Sequence, residues 1–495
     1  MCMTHVYELE ATTFYGKQLS VNSYSCASSY SHAYHHARTL TCVHRPAPLS
    51  TKPPQPPQRT EQQLAALNQG RSDNADLVEA ALNTIGSHVS GTDVLSDSAL
   101  AVHAATVLEH GAELKRNQNI LLAALDLIDA FENTADGPLF LSGDTVGGFA
   151  REGASGALEL GTARAIITVQ QTVIDFVYNA NVIAACSRSL VEGRAWKTAA
   201  HYPGAAPLPD NHDANAVHTV AIKATVGEMW GIEVAFAHDD TQRPTGWYLS
   251  PGATAEVTVP ASLVGKKFQV LVGCNTVDNR GKAKHKRMDR TVARFLITET
   301  TTVIANPLGG SVHIVVPVTA AEGMVDVQIK GGVVPAAFFR LTKDVADTTA
   351  AEWLTADASV YEHSRSAVAP WAEFETDHFL MQVPRGWIHN RPDPTQLLRD
   401  YQTAMEATSV MFGRPIETYH RHVLYLQPDL HIKHGAYGIG YPQVHRTHAR
   451  THSVCVCLSL SVCLSLSVSL YLCLSLSLYL SLSLSLSPPS FVHSC

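Results

Sequence analysis

The residue types able to carry chemistry are scattered along this chain rather than gathered. His420 and His422 stand two apart, while His431 and His434, and again His445 and His448, stand three apart. On a strand His420 and His422 share one face, a geometry that suits a metal ion. No third ligand or paired acid stands nearby, so surface histidines are the better reading. Glu373 and Glu375, in Trp371-Ala-Glu-Phe-Glu, place two carboxylates on one face of an extended segment. Glycoside hydrolysis needs its two carboxyl groups across a cleft from each other, so this pair reads as structural. His5, His32, His35, His36 and His44 match no ligand spacing. The glycine-rich stretch Gly137 to Gly161 carries neither a dinucleotide-binding nor a phosphate-loop pattern and is expected to be loop. Of ten cysteines, three (Cys2, Cys26, Cys42) precede a proline-rich stretch and five (Cys455, Cys457, Cys463, Cys473, Cys495) lie in the last forty-one residues. Cys186 and Cys274 are left as buried apolar residues, which makes no disulfide framework and no zinc ribbon. No residue present earns a catalytic or metal-binding role on type and spacing alone.

The elements that must hold such residues divide the 495-residue chain into unlike parts. Lys plus Arg number 36 against 44 Asp plus Glu, a net charge of −8, which argues against a nucleic-acid binder. Residues 1–59 are rich in Ser, Tyr, His and then Pro, without apolar periodicity, and read as disordered chain and linker. Glu8 and Glu10 interrupt the place where the apolar part of a signal peptide would lie, and no apolar run is long enough for a transmembrane helix. Residues 60–200 are expected to be mainly helical. Asn74 precedes Leu77, Val78, Ala81, Leu82 and Ile85 at helical spacing with Gly86 as a stop, and Ser98–Leu114, Asn119–Glu132 and Thr162–Ala185 repeat the period. From Val217 the period becomes two. Short strands are expected at Val217–Ile222, Ile232–Ala237, Ala255–Val259, Phe268–Val272, Phe295–Thr298, Val312–Val316 and Val325–Ile329, which argues for a β-sandwich over 215–342. Arg280, Lys282, Lys284, Lys286, Arg287 and Arg290 fall between two of them and read as a solvated, charged connection. Beyond Lys343 helix and strand mix, with strands at Phe379–Val383 and Arg421–Leu426 and a helix at Pro394–Ser409.

The end of the chain reads differently. Val454 to Ser487 alternates apolar with small residues except at Tyr471 and Tyr479, and Thr451 to Cys495 holds no Asp, Glu, Lys or Arg. A strand of that length without a gatekeeper is implausible as a folded element. Val-Cys can be written GTG-TGT and Leu-Ser CTC-TCT, so residues 444–495 are expected to be translated intron, with Gln443-Val444 (CAG-GTN) as the donor site.

A series of motifs then becomes recognisable in order. Thr245-Gly-Trp-Tyr-Leu-Ser-Pro-Gly leads into Ala255-Glu-Val-Thr-Val-Pro, and Asn306-Pro-Leu-Gly-Gly into Val312-His-Ile-Val-Val-Pro. Ala369-Pro-Trp-Ala-Glu-Phe-Glu leads to Gln382-Val-Pro, followed by Asp393-Pro-Thr-Gln-Leu-Leu and His434-Gly-Ala-Tyr-Gly-Ile-Gly-Tyr-Pro. From Trp230 to Gln443 the chain resembles the peptidase M-sixty family, the enhancin-like and mucin-degrading zinc metallopeptidases, which also includes the TRP-channel-associated factors. The resemblance implies an α+β protein: the helical region, a β-sandwich-like accessory domain, and over 343–443 the beginning of a gluzincin-type α/β metallopeptidase domain. In that family a helical HExxH binds zinc through two histidines while its Glu activates water. This sequence departs from it, since no His-Glu dipeptide occurs anywhere in the chain. The expectation is a truncated member without catalytic residues, metal ligands or cofactor of its own, zinc belonging to the full-length enzyme. The implied partner is an extracellular or cell-surface glycoprotein or its glycan. A non-catalytic member that binds a glycan or a membrane protein is the alternative. Gly440, Tyr441 and Pro442 are candidates for the edge of the substrate cleft, and Trp247 and Tyr248 for glycan contact.

Overall fold

The computed structural model describes residues 72–134, 136–140, 149–150, 161–178, 185–226, 240–279, 284–388, 392–411, 424–429, 436–437 and 443–445. Helix α1 (Asp73–Val89) buries Val78, Ala81, Leu82 and Ile85 as expected, with Ala75 in place of Leu77, which is exposed. Its ends differ from expectation. Ser72, not Asn74, is the cap, its hydroxyl accepting from the Ala75 N–H, and the helix runs through Gly86, which sits in ordinary contact with Leu127. The single helix expected over Ser98–Leu114 is two, α2 (Asp97–Glu109) and α3 (Ala112–Arg116). The break falls at Gly111, where a Cβ would lie 2.5 Å from the Phe176 ring, so the close approach of another helix decides the residue. Helix α4 (Gln118–Glu132) and α5 (Gly161–Val173) follow, with the short strand β1 (Phe149–Ala150) between them. Helix α5 widens into a π-helical turn at Ile174–Tyr178, and α6 (Ala185–Val191) ends the helical region.

Two antiparallel sheets come next. The first orders β2 (Val217–Thr225), β10 (Ala321–Gly331), β4 (Thr254–Thr258) and β8 (Thr301–Ala305). The second orders β11 (Val333–Pro335), β3 (Thr241–Leu249), β9 (Gly310–Val316), β5 (Gln269–Val272) and β7 (Ala293–Leu296). A two-residue strand, β6 (Lys284–His285), pairs with β1. Alternate residues of both sheets close one core with the helices: Ile166, Val173 and Val177 join Val257, Val270, Phe295 and Ile314 in a single buried cluster. Where β5 and β9 adjoin, Gly273 and Gly310 both sit at φ +141°, and a Cβ on Gly310 would lie 2.2 Å from the Gly273 Cα. Only two glycines allow that approach. Five of the expected strands are present as β2, β4, β5, β9 and β10, and a sixth is shifted towards β7. The one expected at Ile232–Ala237 lies outside the described residues.

A third, mixed sheet orders β12 (Ala337–Leu341), β13 (Trp371–Thr376), β14 (Phe379–Pro384), β15 (Leu424–Pro428), β17 (Gln443–His445) and β16 (Ala436–Tyr437). β12 with β13, β14 with β15 and β15 with β17 run parallel. Helix α7 (Ala350–Leu354) sets Trp353 edge-on to Phe339 and Phe374. Helix α8 (Thr395–Met411) stacks Tyr401 on Phe379 at 4.2 Å. Both helix and strand were expected here. The fold is thus α+β, a helical region, a β-sandwich and a mixed sheet with helices.

The connection expected to be solvated is the largest correction. Arg287 is completely buried and donates to Asp429 through Nε (3.0 Å) and Nη2 (2.8 Å), and to the carbonyls of Met288, Asp289 and Val277. Arg290 holds Asp175 at 2.5 Å. Arg280 and Lys282 lie outside the described residues. A guanidinium whose donors all find acceptors can be buried, which hydrophilicity alone does not foresee.

Candidate functional site

An open cleft of about 370 Å³ lies where β2, β3 and β12 meet the chain that follows β12. β2 supplies His218 to Ala221, β3 supplies Thr245 and Trp247, β12 supplies Phe338 and Arg340, and Val345–Thr348, Glu352 and Tyr361–His363 form the remaining wall. Alternation along β3 parts the two expected glycan contacts. Trp247 lines the cleft, 3% exposed, with the His218 ring 3.7 Å from its centroid and His363 edge-on at 5.2 Å. Tyr248 is fully buried away from the cleft, its hydroxyl donating to the Gly204 carbonyl at 2.7 Å. Gly246, between β3's buried residues, has φ +78°, and a Cβ there would press on Phe338 and His363 at 2.9 and 3.0 Å. That glycine lets the aromatic wall close against the strand.

Arg340 is the cation of this wall, and it is committed. Its Nε donates to Glu375 at 2.8 Å, its Nη atoms reach the carbonyls of Ala221 and Pro244 at 3.4 Å, and its Cζ stands 4.6 Å over the Phe338 ring. Tyr361 donates to the Phe338 carbonyl at 2.9 Å and contacts the Thr348 hydroxyl at 3.2 Å. Burial pushes the His363 imidazole down to about 4 and lowers His218 as well, so both rings are neutral at pH 7. His363 Nε2 lies 3.8 Å from Glu362, but a neutral ring makes this no ion pair. Burial raises Glu362 above the ordinary carboxylate range.

Glu373 and Glu375 stand elsewhere on the same strand. Glu373 accepts from Gln382 Nε2 at 2.8 Å and meets His313 Nε2 at 2.6 Å, all three buried. Glu375 takes Arg340 and, at 3.9 Å, Arg243. Glu375 and the Oε1 of Glu373 are therefore engaged by other strands, while Glu373 Oε2 is buried without a hydrogen-bond partner among the described residues. Cys274 is buried beside Ser311, its thiol pushed up to about 12 by burial. The cleft's two histidines were missed by sequence reasoning, since neither His218 nor His363 has a chemically suggestive neighbour in sequence.

Among the described residues no group of three or more His, Cys, Asp or Glu is placed to hold a metal ion. The zinc implied by resemblance thus finds no fitting donor set there, and no step through zinc is assigned to these residues. Gly440, Tyr441 and Pro442, and His420, His422, His431 and His434, lie outside the described residues. No described helix is long and apolar enough to cross a membrane.

Residues 218–330, the first sheet, most of the second and the strands that carry His218 and Trp247, match the model of the N-terminal domain of M60-like peptidases. Over these residues the chain is similar to M60-like peptidases. TRPM8 channel-associated factor 3 of Rattus norvegicus is 32% identical over 212 residues, 43% of this chain and 22% of that protein. The TRPM8 channel-associated factor homolog of Danio rerio is 29% identical over 198 residues, 40% and 20% of the two chains. The chain thus spans about a fifth of the length of these relatives. Among solved structures, the IMPa metallopeptidase in complex with T-antigen is similar at TM-score 0.40 and 13% identity, over 71% of this chain and 39% of that one. A second IMPa structure, from Pseudomonas aeruginosa, gives TM-score 0.38 at 13% identity, over 66% and 38%.

Proposed function

We propose that these residues form a recognition part of a zinc-metallopeptidase-family protein that acts on extracellular, mucin-like glycoproteins, and that they bind such a ligand rather than cleave it. The cleft between the M60-like N-terminal domain and β12 carries this reading: it combines an aromatic wall with polar groups that converge on one space, as ligand sites do. Hydrolysis of the glycoprotein would need zinc and an HExxH helix, and no His-Glu dipeptide occurs in this sequence. Gly440, Tyr441 and Pro442, directly before β17 in sequence, are proposed as the edge of the substrate cleft. A direct test is to titrate the purified chain with an O-glycosylated mucin fragment, with zinc present, and to follow both binding and fragmentation. Saturable binding with the fragment intact supports the reading. Fragmentation overturns the non-catalytic part, and no binding overturns the whole.

A second reading is favoured by the relatives' names. Two relatives that share 40–43% of this chain are described as associated with the TRPM8 channel, so a membrane-protein partner is the alternative ligand. Capture of a detergent-solubilised channel by the immobilised chain, with mucin failing to compete, would favour it.

A further inference from the structure

The cleft beside Trp247 has an unbalanced charge. Asp347, Glu352 and Glu362 line it, and its cation, Arg340, is already held by Glu375. Glu352 accepts from the N–H and hydroxyl of Thr349. Lys223, on the neighbouring part of β2, is taken by Asp344 at 2.6 Å. Glu362 is half-buried beside the neutral His363. A neutral ligand would leave these carboxylates uncompensated and an anion would be repelled, so charge complementarity selects a cation.

Two further features say what carries the cation. The half-buried His218 ring, backed by the Trp247 indole, offers a π-face of the kind on which ammonium and guanidinium groups rest. The whole lies along β2, an edge strand of its described sheet, where a chain in extended form meets backbone as well as side-chain groups. We infer that this cleft takes an extended peptide segment through an arginine or lysine side chain seated between His218, Glu362 and Asp347. The inference rests on reading the cleft as the recognition surface, and it names the peptide rather than the glycan as what that surface reads.

The test uses the full chain and fluorescein-labelled, end-blocked hexapeptides of alanine and glycine with one central arginine, against the same peptide with citrulline, which keeps the shape and removes the charge. The arginine peptide should bind, the citrulline peptide should lose about tenfold or more in affinity, and the Glu362→Gln/Asp347→Asn double variant should lose roughly tenfold for arginine alone. His218→Ala should weaken the arginine peptide several-fold. All three positions line the cleft, and unchanged thermal midpoints would show that the fold survives. Equal binding of arginine and citrulline, or indifference to the carboxylate variants, overturns the inference. Mucin binding without arginine-peptide binding overturns it while the proposed function stands, and absence of both removes the two together.

Discussion

The β-sandwich has two junctions, and they are built on opposite principles. Towards the helices the contact is a continuous apolar core, with the π-helical turn Ile174–Tyr178 against β7 and only a polar rim, in which Arg290 takes Asp175 and Gln171 exchanges hydrogen bonds with the Arg290 backbone. Towards the third sheet a small apolar cluster of Tyr248, Val334 and Trp371 is accompanied by a buried polar network. His313 meets Glu373, Gln382 donates to Ser311, Arg340 holds Glu375, Arg287 holds Asp429, and Asn275 donates to the Pro428 carbonyl at 3.0 Å. Apolar burial is non-directional and tolerates small changes of shape, whereas a buried polar network fixes one geometry and suffers when a single member is lost. The cleft lies at the second junction. Its walls are thus held in register by bonds that allow few alternatives.

The comparison is broken most severely at Arg287. Arg287→Met leaves Asp429 buried without its cation, and chemical denaturation should show a loss of about 3–5 kcal/mol. The double variant Arg287→Met/Asp429→Leu should recover most of this, because an apolar pair suits a buried space as well as an ion pair does. If the single variant costs under 1 kcal/mol, the polar junction does not hold the sheets as described. A slightly smaller effect is expected with pH. The unfolded imidazole of His363 takes its proton near the ordinary 6.5 and the folded one only near 4, so its contribution is complete above 6.5 and is lost as pH falls towards 4. The loss should approach about 3 kcal/mol, with His218 and His201 acting in the same direction, and His363→Asn should flatten the curve. At the apolar junction Ile174→Val should cost only about 1 kcal/mol, since one methylene is removed from a core that adjusts. Smallest of all, Lys266→Ala should leave the thermal midpoint almost unchanged, because its partner Glu322 at 2.5 Å forms a surface pair worth under about 1 kcal/mol.

The same contrast explains what could be read from sequence. Apolar periodicity is local, so α1, α4 and α8 and strands such as β2, β9 and β10 were legible from patterns within ten to twenty residues. β3 was not, because Thr241-Gln-Arg-Pro-Thr-Gly carries strand-poor residues, yet all nine positions are buried against neighbours on both sides. β13 was legible as an extended segment with a structural carboxylate pair, but the partners of Glu373 and Glu375, His313 and Arg340, lie too far off in sequence to be foreseen. The cleft was half visible through Trp247. His218 and His363 are 145 positions apart by their numbers, and nothing in either segment announces the other.

The span of those polar contacts has a kinetic side. Asn275 and Pro428 are 153 positions apart, and Arg287 and Asp429 are 142 apart, whereas successive helices touch across short loops. Ordering so long a chain before any bond forms slows closure, so the helices and sandwich should assemble first and the third sheet should dock last. Run in reverse, the β15 end of that sheet is the first part to part company with the rest, and its amides should exchange with solvent while those of β5 and β9 remain protected. The sheet would then yield first at the end away from β12, leaving the cleft wall among the later parts to open.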